Sequence, residues 1–446
     1  MGWANSRELA HMELFRQIVI LQRMTSYKKT TLKNGLRIIA IPQENSVAMT
    51  VLTLVETGSK YETKEINGIS HFLEHLCFKG TKQRPEPSMI ASELDGLGAQ
   101  SNAFTGQEYT GYYAKVSADK GKKALEIIAD LYLNPIFKSD EIEKEKGVII
   151  EEIHMYEDMP QRRIGDYFMS LLYGDQPAGW DIAGSPELIR AMTREQIVQY
   201  RGAHYVPSAT VLVVAGAFNE AEVIKNAEQL FGQMSAGTKH PKLAVIEKQS
   251  APALFLKFKK SDQAHIMLGV RAFPMNDPRR YVIEVMGDLL GGGMSSRLFQ
   301  LLRERLGAAY YVRASADLFT DHGYFAANAG IELSKVTLVI SEMLKEFARL
   351  KNEVVSEAEL NRAKSHLVGN LLLGLETSDS LAVFYGGQEI LKRSIEMPED
   401  ILKGVQAVTA EQIQKLAQEL FTPNMLNLAI IGPFNDEGEF KKLLIM

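Results

Sequence analysis

Two histidines four residues apart, with a carboxylate directly before the second, form the most chemically loaded stretch of this chain: His71-Phe72-Leu73-Glu74-His75. In a helix, residues i and i+4 stand one turn apart on one face, so His71 and His75 can bind one metal ion together. Glu74 falls about 60° from His71 and about 100° from His75 around that helix, close enough to act on a water held there. This is equipment for metal-dependent hydrolysis, with the H-E-x-x-H order reversed to H-x-x-E-H. Two histidines on an apolar helix can also be satisfied core residues or part of a capping network. Ile69, Phe72, Leu73 and Leu76 argue against that, because they carry three ionisable groups into a largely buried helix. Such groups are costly there unless paired or bound to metal.

A zinc site of this kind needs a third protein ligand and an open position. The segment Ser139 to Tyr156 supplies candidates. At 100° per residue, Ile142, Ile149, Ile153 and Tyr156 form one apolar stripe. Glu145 and Glu152 fall inside it, whereas Glu143 and Glu151 point away. Either inward carboxylate could simply pair with a buried Lys or Arg. Beside the histidine pair, Glu152 is the expected third ligand.

The chain also repeats itself. Thr193-Arg-Glu-Gln-Ile197 recurs as Thr409-Ala-Glu-Gln-Ile413, Pro207 as Pro423, and Gly216-Ala-Phe-Asn219 as Gly432-Pro-Phe-Asn435, each 216 residues later. Both Thr-x-x-Gln segments read as helix-starting capping boxes, and each precedes an apolar run that reads as a buried strand. Two homologous halves explain the constant offset. Sliding the first onto the second places the metal helix near Ile283–Leu290, where no histidine stands, and Glu152 near Asn370. The second half is therefore expected to keep the scaffold without the metal. Residues 232–252, rich in Ser, Gly, Lys and Pro, read as the linker. The expected organisation is an extension over 1–23, a catalytic half over 24–231, that linker, and a second half over 253–446.

Three stretches resemble the pitrilysin, insulin-degrading enzyme and mitochondrial processing peptidase family of zinc metallopeptidases: Gly68-Ile-Ser-His-Phe-Leu-Glu-His-Leu-Cys-Phe-Lys-Gly-Thr81, Gly98-Ala-Gln-Ser-Asn-Ala-Phe-Thr105 and Glu145-Lys-Gly-Val-Ile-Ile-Glu-Glu152. The likeness runs from about Thr30 onward and is greatest for members of this single length. It implies one Zn2+ per chain on His71, His75 and Glu152, with Glu145 supporting the site from behind and Glu74 taking a proton from the attacking water. It implies an α+β fold of two homologous halves, each a mainly antiparallel sheet with helices on one face, enclosing a peptide chamber. The activity implied is zinc endopeptidase action on extended or unfolded peptides. The alternatives are a non-catalytic scaffold, expected to have lost some of His71, Glu74, His75 or Glu152, and a processing-peptidase subunit that needs a partner. A homodimer, or a heterodimer with a related chain, is the expected assembly.

The second half holds Gly291-Gly-Gly-Met-Ser-Ser-Arg297 and then Arg303 and Tyr310. Three glycines mark a close backbone approach, and phosphate is conceivable there, though no Walker lysine follows. By themselves Arg303 and Tyr310 read as a solvated arginine and a strand tyrosine. The resemblance instead implies that the pair reaches the active site, holds substrate carbonyls and supports the developing oxyanion. Gly98 to Tyr113 reads as a hairpin or edge strand turning at Gly106. An open edge can recruit an extended peptide through main-chain hydrogen bonds. The resemblance implies that role for Asn102, Ala103 and Phe104.

The chain has 446 residues, 46% of them hydrophobic, with a net charge of −5 and a pI near 6.1. That balance offers no electrostatic case for nucleic acid, and no apolar run approaches a membrane span. The single cysteine, Cys77, excludes an internal disulfide and fits a reducing compartment. A bacterial cytoplasm is the expected setting, ahead of a mitochondrial matrix. Leu14 to Leu21 is interrupted by Arg16 and Gln17 and makes a poor signal peptide.

Overall fold

The computed structural model describes residues 26–444; the expectation of a loose extension over 1–23 lies outside them. Strands β1 (Lys28–Thr31), β2 (Arg37–Pro42), β3 (Ala48–Val55), β4 (Gln100–Thr105), β5 (Thr110–Ser117) and β6 (Thr210–Gly216) build one sheet. Its order is β1-β2-β6-β3-β5-β4. Strands β7 (Ala253–Phe258), β8 (Gln263–Ala272), β9 (Ala309–Leu318), β10 (Gly323–Glu332) and β11 (Asn427–Gly432) build the second, in the order β7-β11-β8-β10-β9. Each sheet contains one parallel pair, β2 with β6 and β7 with β11, and is otherwise antiparallel. The duplication read from the sequence is thus visible as topology: β2, β6, β3, β5 and β4 correspond to β7, β11, β8, β10 and β9.

The helices that position the site are α1 (Ile69–Leu76), α2 (Gly121–Leu133), α3 (Ser139–Glu157), α4 (Pro160–Tyr173) and α5 (Arg194–His204) in the first half. In the second they are α6 (Arg280–Gly291), α7 (Val336–Asn352), α8 (Glu357–Gly374), α9 (Ser378–Lys392) and α10 (Ala410–Leu420). Both capping boxes close as read, Thr193 with Gln196 and Thr409 with Gln412. Residues 232–252 carry no helix or strand.

Within each half, helices cover one face of the sheet. The opposite face takes a helix from the other half. Leu381, Ala382, Tyr385 and Ile390 of α9 pack on Ile39, Leu52, Leu54 and Val213 of the first sheet. Reciprocally, Ile164, Phe168 and Leu172 of α4 pack on Met267, Tyr324 and Ile431 of the second. Burying each large apolar side chain contributes about 1.5–3 kcal/mol, so the exchange locks the halves together. Gly386 permits the approach of α9, because a Cβ there would stand 2.7 Å from Leu54 Cδ1. A cavity of about 730 Å³ remains between α8–α9 and this face, lined by Phe104, Tyr109, Tyr113 and Phe384. Among the described residues no single helix is long and apolar enough to cross a membrane. The apolar face of α9 covers the first sheet, and that of α8 packs into the core of the second half.

Candidate metal centre

The histidine helix is only eight residues long and has no side-chain N-cap of its own. Gly68, at φ 98°, turns the chain into it. The buried Glu62 carboxylate completes the start, accepting from Gly68 N and Ser70 N at 2.8 Å each and from Asn67 Nδ2 at 2.9 Å. An anion at a helix N-terminus is favoured by the helix dipole as well as by the free N–H groups. Ile69, Phe72, Leu73 and Leu76 are buried, as their pattern required, and fix the helix rotation. His71 and His75 then face one another with ring centroids 4.7 Å apart.

On α3, Glu145 and Glu152 lie two turns apart on one face. The structure brings Glu152 to both histidines: its Oε2 is 3.6 Å from His71 Nε2 and 3.4 Å from His75 Nε2. Donor atoms of His71, His75 and Glu152 all lie within 4.8 Å of one another. A tetrahedral zinc with bonds of about 2.0–2.2 Å requires donors roughly 3.3–3.6 Å apart, so this trio fits the ion. Glu145 stands behind, its Oε1 2.8 Å from His75 Nδ1 and its Oε2 2.7 Å from Lys79 Nζ. Glu145 thus orients a histidine, as the resemblance implied, and also pairs with the half-buried Lys79. The hydrogen bond at Nδ1 directs His75 Nε2 toward the centre. His71 Nδ1 is buried and has no hydrogen-bond partner among the described residues.

Burial lowers the His71 pKa to about 4, and neighbouring His75 pushes it the same way, so this ring is neutral and ready to ligate. Burial also opposes charge on His75, but its bonds to Glu145 and Glu152 prevail and raise it to about 9. Glu152 is held down at about 2, first by His75 and, against the opposing effect of burial, also by Tyr156. Burial raises the Glu74 carboxyl above the usual range, and a hydrogen bond from Thr105 partly offsets it.

Sequence reasoning did not single out several residues here. Thr105 Oγ1 donates to Glu74 Oε2 at 2.6 Å, tying the carboxylate to the end of β4. Tyr156, read only as part of the stripe, donates to Glu152 Oε1 at 2.7 Å, and the Arg162 guanidinium covers its ring at 3.8 Å. Thr105 closes one of the stretches that carried the resemblance and Lys79 lies within another; Arg162 had no signal. Asn102, Ala103 and Phe104 lie on β4, the outer strand of its sheet, which among the described residues pairs only with β5.

Arg303 and Tyr310 are not brought to the triad. Arg303 sits on a π-helical turn, Phe299–Arg305, with its guanidinium over the rings of Phe299 and Tyr310. Tyr310 is 74% exposed at the start of edge strand β9. Neither hydrogen-bonds to or stacks on a residue of the metal centre.

Two family models cover most of the chain: "Insulinase (Peptidase family M16)" over residues 37–185 and "Peptidase M16 inactive domain" over residues 191–367. A Bacillus subtilis protein named uncharacterized zinc protease YmxG is 36% identical over 91% of this chain and 98% of its own length. The chain belongs to peptidase family M16. A Rickettsia felis zinc protease is likewise 36% identical over 93% of this chain and 99% of its own. The M16 fold is matched by a protease from Helicobacter pylori, with TM-score 0.86 and 23% identity over 92% of this chain and all of that one. A chain of complex III2 from Candida albicans matches with TM-score 0.81 and 18% identity over 94% of this chain. Membership makes this chain a relative of zinc peptidases from bacteria.

The second M16 domain keeps the scaffold differently. In place of metal ligands, Asp288 Oδ1 on α6 lies 2.6 Å from His366 Nδ1 on α8. The glycine run packs against this pair and against β9: a Cβ on Gly293 would stand 3.3 Å from His366 Nε2, and one on Gly292 would strike the Asp288 carboxylate. The close approach is internal, and a carboxylate there disfavours phosphate.

Proposed function

We propose that this chain is a zinc-dependent endopeptidase acting on extended or unfolded peptides, with one Zn2+ held by His71, His75 and Glu152. The convergence of three donors from two distant helices on one point carries this reading. Zinc so bound would polarise a water and the scissile carbonyl. Glu74 takes the proton from the attacking water and returns it to the departing amine; its half-buried carboxyl, raised above the usual range, suits both transfers. Thr105 holds that carboxylate in place. Asn102, Ala103 and Phe104 bind the peptide as an added strand on β4, and Glu145 keeps His75 oriented.

Arg303 and Tyr310 serve as carbonyl and oxyanion donors. Neither touches the triad of its own chain, and in this reading the pair completes the site of a second copy in a dimer. A scaffold without activity is disfavoured, since His71, Glu74, His75 and Glu152 are all retained. The deciding experiment is metal analysis with peptide-library cleavage on wild type and Glu74→Gln. Glu74→Gln is expected to keep one zinc and lose turnover, while His71→Ala or Glu152→Ala loses the metal. Full activity in Glu74→Gln would refute the mechanism.

A further inference from the structure

The half without metal ligands reaches the catalytic half through a buried cluster of charges. Lys60, 1% exposed, comes from the loop before α1. Glu108 comes from the β4–β5 turn, Lys242 from the linker, and Thr320, Asp321 and His322 from the tip of the β9–β10 hairpin. Glu108 accepts from Thr320 N at 3.0 Å and from Thr320 Oγ1 at 2.6 Å, and pairs with Lys60 at 3.3 Å and with Lys242. Asp321 pairs with Lys60, with Lys242 at 3.1 Å, and with His322 Nδ1 at 2.9 Å. Main-chain bonds hold the same turn, Ser59 N to Gly106 O at 3.3 Å and Lys60 N to Gln107 O at 2.9 Å.

Lys60 and Glu108 are removed from water and Lys242 and Asp321 partly so, a poor way to gain stability, because desolvation offsets most of their attraction. They do impose geometry. The turn they grip begins one residue after Thr105, whose hydroxyl holds Glu74. Among the described strands the rest of β4 pairs with β5 alone, and Gln100, Ser101 and Asn102 are exposed. A small displacement of the turn is therefore delivered to Thr105 and to the carboxylate it orients.

We propose that Thr320, Asp321 and Glu108 are positioning residues for the peptidase reaction, through which the metal-free half sets the turn after β4 and hence the place of Thr105 and Glu74. This rests on the proposed peptidase function, and its test is built to fail separately. Thr320→Val, Glu108→Gln, Thr105→Val and the double variant Thr105→Val/Glu108→Gln are compared as full-length, zinc-loaded proteins. The first two are expected to lower kcat roughly tenfold or more, with KM and zinc content near wild type, and Thr320→Ser to restore it. The double variant is expected to match Thr105→Val alone, since both changes act through one hydrogen bond. Amide exchange at Thr105 to Glu108 is expected to quicken in Thr320→Val and Glu108→Gln without change in melting temperature. Unchanged kcat, or losses that multiply in the double variant, would overturn the proposal. Should wild type cleave no peptide, the peptidase reading fails, and exchange alone decides the coupling: unaltered exchange overturns it.

Discussion

Replacing Glu145 by Gln should weaken zinc binding by an amount that depends on pH, and the structure gives the size and sign. In the metal-free protein the His75 pKa is raised to about 9, with Glu145 first and Glu152 next among the groups that raise it. Lys79 faces Glu145, and the neutral His71 faces Glu152. Zinc must displace that proton. At pH 7.5 the gap of about 1.5 units makes zinc binding roughly thirtyfold weaker than at full deprotonation, or about 2 kcal/mol. Removing the Glu145 charge lowers the His75 pKa and relieves much of this competition. It also removes the partner that orients the ring and raises its basicity, a loss of about 10- to 100-fold in metal affinity. Near neutral pH the two effects oppose, so the variant should bind only a few-fold more weakly. Above pH 9, where wild type has no proton to lose, the full 10- to 100-fold deficit should emerge. Competition titration against a chromophoric chelator from pH 6.5 to 9.5 measures both curves. A deficit that stays constant with pH would refute the idea that Glu145 acts through the proton on His75.

The same raised pKa makes the metal-free protein pH-sensitive. The stabilising His75 interaction is complete below the unfolded value of about 6.5 and disappears as pH rises through about 9, so melting of metal-free protein should fall across that window while zinc-loaded protein does not. Mixing Glu74→Gln with Arg303→Ala, each inactive alone, should recover up to about a quarter of wild-type activity if sites are shared across a symmetric dimer; no recovery would remove the shared-site reading. Glu62→Gln should cost about 1–3 kcal/mol in denaturant unfolding by leaving one buried donor at the start of α1 poorly paired. Gly386→Val should cost about 1–3 kcal/mol through its clash with Leu54, and unchanged stability would mean α9 does not pack tightly on the first sheet.

Helix periodicity turned His71 and His75 to one face and Glu145 and Glu152 inward, but it left both carboxylates free to pair with a Lys or Arg, and only the resemblance implied the supporting place of Glu145. The repeat offset likewise exposed the duplicated sheets through capping boxes and buried strands, features set by local sequence. The exchange of α4 and α9 between halves was not legible. An apolar face on Leu381, Tyr385 and Ile390 says that a helix must be buried, not which sheet buries it. Nor was the Lys60–Glu108–Asp321 cluster, whose members come from segments up to 261 residues apart and carry no spacing signal. Thr105 and Tyr156 were missed for a related reason: a hydroxyl on a strand or helix face has many ordinary uses, and only its partner reveals this one.

That the described residues of the second half hold no metal-ligand cluster also has a steric account. By the 216-residue offset, His71 and His75 correspond to Gly287 and Gly291. Those glycines let α6 settle directly on β9: a Cβ on Gly287 would lie 3.3 Å from Ser315 Cα, and one on Gly291 would collide with the Ala314 amide. In the first half those positions carry two imidazoles that face Glu152 on α3, and Glu74 beside them meets Thr105 of β4. The second half has closed the space between helix and strand, and Asp288 with His366 now joins the two helices where an ion would have done so. Restoring ligands cannot restore the site while the helix sits against the strand. The double variant Gly287→His/Gly291→His should therefore lose several kcal/mol of stability through overpacking and still bind a single zinc. A second equivalent of zinc bound at wild-type stability would show that the space was never closed.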